Sequence, residues 1–150
     1  MSLSAITAAI DTRLATIDFD PTRVIACNVT YLPTPGKGYI ASEIFITEVS
    51  GEGSTLGAST SVGGSGTIVR WDGIFHVDCV WPQDAGIDGA NQLVDMVLAL
   101  FPRGLTLYSA DSLPIRIAFN APKPTPAKAD GSGIWVRGNV SCPWFSFVQT

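Results

Sequence analysis

Leu3, Ile6, Ile10, Leu14 and Ile17 recur at helical spacing, with Ser2 or Ser4 placed to cap the first turn. This spacing predicts an amphipathic first helix, closed by Asp20-Pro21. Val24 to Tyr31 reads as a short strand, and Pro33-Thr34-Pro35-Gly36 as a turn. From Tyr39 to Val49 the pattern changes to period two. Ile40, Ile44 and Ile46 share one face, and Glu43 and Thr47 take the other. Thr67 to Trp81 forms the longest strand candidate, with Trp71, Phe75, Val77, Cys79 and Trp81 on one side and Asp72, His76 and Asp78 on the other; Pro82 should end it. Helical spacing returns between Asp88 and Phe101, where Ala90, Leu93, Val94, Val97, Leu100 and Phe101 make a wide apolar stripe before the stop signal Pro102-Arg103-Gly104.

Beyond that helix, Leu113 to Phe119 alternates, and its Pro114 places it near a sheet edge or a strand start. The Pro- and Lys-rich stretch at about 121–133 reads as a loop. Ile134 to Ser141 and Trp144 to Val148 close the chain as strands interrupted by Pro143. Helix, strands, helix, strands with hairpin-length connections point to an α+β domain. The expected core is a mainly antiparallel or mixed sheet packed against two helices, in one domain over residues 1–150.

One segment does not fit a packed element. Between the second and third strand candidates, at about 50–66, lie six glycines, five serines and one charged residue, Glu52. Unstructured stretches of this length are usually functional or disordered, and a tolerated surface insertion is one reading. An arm that orders against a neighbour would suit so uncharged a segment, with Leu56 and Val62 as its apolar anchors.

Charge narrows the functional classes. Charged residues make up 15% of the chain, against about 25% for ordinary soluble domains. Part of the surface is therefore expected to be covered by other protein. A net charge of -4 and scattered Lys and Arg argue against a nucleic-acid reader. Cys27, Cys79 and Cys142 lie far apart without metal spacing, which predicts reduced, buried thiols in a cytosolic protein. The start of the chain lacks a basic signal-peptide region, and no apolar run approaches the roughly 20 residues of a membrane span.

Candidate chemistry is thin. His76 is the only histidine and shares a strand face with Asp78, which suffices to start a metal site or an acid–base pair but not to complete one. Gly63-Gly64-Ser65-Gly66 lacks the nucleophile-elbow spacing. The glycine-rich segment carries no phosphate-binding lysine and leads into a strand, not a helix. No catalytic, cofactor or metal residue is expected. The aromatic residues, Trp144, Phe145 and Phe147 among them, hint at an interface, since aromatics are enriched at interface cores, although most of them are expected in the core. Arg70, Trp71 and Phe145 join Glu52, Leu56 and Val62 as candidate interface positions.

The ordered pieces together resemble a known family. Ile10-Asp-Thr-Arg-Leu14 in the first helix, the strand Gly73-Ile-Phe-His-Val-Asp-Cys-Val-Trp-Pro82, and the helix ending Leu98-Ala-Leu-Phe-Pro-Arg-Gly-Leu105 resemble the tail terminator, or tail completion, proteins of long-tailed bacteriophages. The resemblance runs across nearly the whole chain, leaving out the Gly/Ser and Pro/Lys segments. It implies a structural subunit of the virion tail that forms a homo-hexameric ring without cofactor or catalysis. Its implied partners are the tail tube protein and the head connector, or neck protein, with DNA only in transit through the lumen and no membrane. Another neck or connector subunit, and a small β-rich module or enzyme using His76 and Asp78, are the alternatives.

Overall fold

The computed structural model describes residues 2–27, 29–50, 68–112 and 114–149. Among these residues, two α-helices, α1 (Ser2–Leu14) and α2 (Asp88–Leu100), accompany seven strands: β1 (Val24–Ile25), β2 (Tyr39–Ser50), β3 (Ile68–Pro82), β4 (Thr106–Tyr108), β5 (Arg116–Phe119), β6 (Lys123–Ala129) and β7 (Trp135–Gln149). The strands form one mixed sheet in the order β1-β2-β3-β7-β5-β4, with β6 paired to β7 beside β5. Only β1 runs parallel to its neighbour; the other pairs are antiparallel. This is the expected α+β architecture.

The core lies between one face of the sheet and the helices. Ile6, Ile10 and Leu14 of α1 and Leu93, Val94 and Val97 of α2 pack with Phe75, Val77 and Cys79 of β3 and Val140, Cys142 and Trp144 of β7. Phe75, Phe101 and Phe119 continue this layer as tilted aromatic pairs, with centroids 5.1 and 5.5 Å apart. Two glycines make room for indoles here. A Cβ on Gly73 would overlap the Trp144 ring and the Phe45 carbonyl, and one on Gly89 would overlap Trp81.

The structure corrects three expectations. The strand predicted over Val24 to Tyr31 stops at Ile25, because the Cys27 amide donates to the Asp11 carboxylate on α1 and Val29 turns back onto the Ala26 carbonyl. The predicted loop at 121–133 contains β6, a strand whose Pro124 and Pro126 are tolerated because it has β7 on one side only. The last two strands are one. Pro143 does not break β7: its carbonyl accepts from Asn120 on the β5/β6 side, so its missing N–H also faces that side, where the partner changes from β6 to β5, and the β3 ladder loses nothing. The short β4, formed around Leu107, had no counterpart in the pattern. The segment at about 50–66, with Glu52, Leu56 and Val62, lies outside the described residues.

Candidate interaction surface

Among the described residues, no helix covers the second face of the sheet. Strand register lays its side chains out in rows. Tyr39, Val80 and Arg137 form one row, Ala41, Asp78 and Asn139 the next, then Glu43, His76 and Ser141. Beyond them come Phe45, Ile74 and Pro143, then Glu48, Asp72 and Phe145, and finally Arg70 and Phe147 beside Arg116 and Tyr108. The face is thus polar in its middle and aromatic toward one end.

The polar middle is a closed network. His76 Nδ1 lies 3.0 Å from Ser141 Oγ and Nε2 lies 3.3 Å from Asp78, whose other oxygen accepts from Arg137 at 3.3 Å. Arg137 also reaches Asp130 at 3.9 Å. The hydrogen bond to Asp78 raises the His76 pKa, burial opposes the rise, and the charges of Asp78 and Glu43 add to it. Ser, His and Asp are in line, yet Ser141 sits mid-strand on a pleated surface, opposite His76 on β3 and Lys123 on β6. Its backbone is committed to the sheet, so it lacks the sharp turn on which a nucleophilic serine is presented. Among the described residues no group of His, Cys, Asp and Glu is placed to hold a metal. Charge pairing accounts for the arrangement.

The aromatic end has different chemistry. Arg70 grips Asp72 through both of its oxygens and lies 4.5 Å from the centroid of Phe145, which meets Phe147 edge-on at 6.0 Å. Phe45 and Phe147 remain 49% and 45% exposed there. Stacked arginine and exposed aromatics are the composition of an interface core. The fold therefore brings Arg70 and Phe145 together, as candidates of one surface. Trp71 points to the opposite, helix-bearing face, half-buried against the core. Sequence reasoning named Phe147 only among the aromatic residues that hint at an interface, and missed Phe45 and Ser141. Their shared alternation with Arg70, Phe145 and His76 is visible only once β2, β3 and β7 are in register.

The cysteines form no disulfide. Cys79 and Cys142 are buried and Cys27 half-buried, all as free thiols, and burial pushes each up to about 12. Among the described residues no helix is long and apolar enough to cross a membrane.

Fold and surface define a small α+β domain with one helix-covered and one open sheet face. Residues 5–144 match the phage tail terminator protein family, and the chain belongs to it. The family is a structural one of bacteriophage tails. A solved structure 21% identical covers 100% of this chain and 97% of its own length with a TM-score of 0.62, which shows a shared fold. No curated protein matches the chain.

Proposed function

We propose that the protein ends the phage tail: six copies form a ring that binds the finished tail tube, stops its polymerisation and presents a surface to the head connector. Membership of the tail terminator family over residues 5–144 carries this reading. The aromatic end of the open sheet face supports it, because Phe45, Phe145, Phe147 and the stacked Arg70 supply anchors for a protein partner and no scaffold for a reaction. The tail tube protein and the connector are the partners. DNA crosses the ring without being read, in keeping with the net charge of -4 and the absence of a basic run. The role needs neither catalysis nor a cofactor.

Electron microscopy of the purified protein, alone at high concentration and then mixed with tail tubes, tests the proposal. Six-fold rings, or a cap on one end of each tube with no further growth, are expected. Tubes that keep growing undecorated in excess protein would overturn it.

A further inference from the structure

The two margins of the sheet are unequally finished, and each leaves uncovered what the other lacks. On β2, strand β1 pairs only at Ile40 and Ala41, so among the described residues the outer margin at 43–50 has no neighbouring strand. That margin carries no Pro, Lys or Arg; Glu43, Glu48 and a bulge between Ile46 and Glu48 shape it instead, and the bulge lets Ile46 and Val49 share one face. On its helix-facing side, Ile46 and Val49 pair with Gly73 and Trp71 across β3 but reach past the helices, 38% and 52% exposed.

The other margin is β4. Leu105 and Ser109 bond toward β5, so the alternating residues Thr106 and Tyr108 turn their N–H and C=O groups outward, away from it. Helix α1 stands beside this edge, and between them runs a mainly apolar groove of about 350 Å³, lined by Ala5, Ala8 and Ala9 of α1 and Leu107 of β4, with the charged Arg13 and Asp111 also on its walls. A strand added to β4 would place every second side chain in that groove.

We propose that the occupant is a second copy of this chain: the free margin of β2 in one subunit pairs with β4 of the next, and Ile46 and Val49 enter the groove under α1. A sheet continued across two copies keeps its helix-bearing side, so Ile46 and Val49 of one copy and the groove of the next fall on the same face. Charge agrees on the other face, where β2 brings Glu43 and Glu48 and the β4 end brings exposed Arg116, with Arg103 in the preceding turn. Two different surfaces meet, so the contact is head to tail, the kind that closes rings. It rests on the ring reading above and names the joint within it.

Cysteine cross-linking tests the joint. Ile46→Cys and Ala8→Cys are placed singly in a Cys27→Ser background, Cys79 and Cys142 being fully buried. A short bis-maleimide is added to the free protein at high concentration and to protein on tail tubes. The two variants mixed should give a cross-linked dimer that neither gives alone, and the double variant a ladder of oligomers. Equal dimer yields from the single variants, or no product from the mixture in either setting, would overturn the pairing. The microscopy separates the two proposals. Capped tubes without the cross-link sink the pairing and leave termination standing, whereas cross-links on uncapped, growing tubes do the reverse.

Discussion

The two faces of β3 share one backbone and differ in everything that follows from their side chains. Phe75, Val77 and Cys79 are fully buried under α1 and α2, while Ile74, His76 and Asp78, alternating with them, remain half-exposed on an open surface. One face builds the core; the other stays open, and on the proposed function it is the one that meets partners. The difference is that helices were supplied to one side only. Apolar area withdrawn from water by the chain itself stabilises the monomer, whereas Phe45 and Phe147 leave apolar area in water, which the proposed function assigns to association.

That contrast breaks most directly when each face loses one phenylalanine. Phe75→Ala empties a packed position between Phe101 and Cys142 and should destabilise the monomer by about 3–5 kcal/mol, read as a lowered denaturant midpoint. Phe147→Asp, on the open face, should leave stability within about 0.5 kcal/mol, as surface changes do, yet abolish capping of tail tubes. If Phe147→Asp unfolds the protein as readily as Phe75→Ala does, the open face is part of the core and the division of labour fails.

How far the sequence exposed this division depends on which residues one follows. The alternation of Phe75, Val77 and Cys79 with His76 and Asp78 was legible because period two needs no knowledge of neighbours, and the stripe of α2 was legible for the same reason at period 3.6. Three features were not. Local rules read Pro143 as a break and Pro124 and Pro126 as a loop, but register and sheet position decide whether a missing N–H costs anything. The Arg70–Phe145 stack and the His76–Ser141 contact join residues 75 and 65 positions apart, and only the β3–β7 ladder brings them together. The groove under α1 was invisible because small residues such as Ala8 mark a gap only when something lies opposite.

The open face has its own internal structure, which a double-mutant cycle sharpens. Arg70 is held by Asp72 and lies over Phe145. Arg70→Met and Phe145→Leu, singly and together, should show a coupling of about 0.5–1 kcal/mol in the free monomer, the range of an exposed cation–π pair. Coupling indistinguishable from zero would mean that the stack holds no orientation before a partner arrives, and that the aromatic end is shaped by binding.

The smallest effect belongs to the polar middle. His76 has its pKa raised above 6.5 by the hydrogen bond to Asp78, so the folded protein prefers the protonated ring. Its contribution to stability is fully present below pH 6.5, and is lost as pH rises through the higher folded value. For a pair this exposed the gain is within about 0.2–1 kcal/mol. Stability of the wild type should therefore fall slightly across that window relative to His76→Gln, which has no proton to lose. The slope should also shrink in Asp78→Asn, which removes the main cause of the shift. A wild-type curve parallel to that of His76→Gln would mean that the histidine does not hold its proton on Asp78, leaving Arg137 as the charge partner that orders this part of the face.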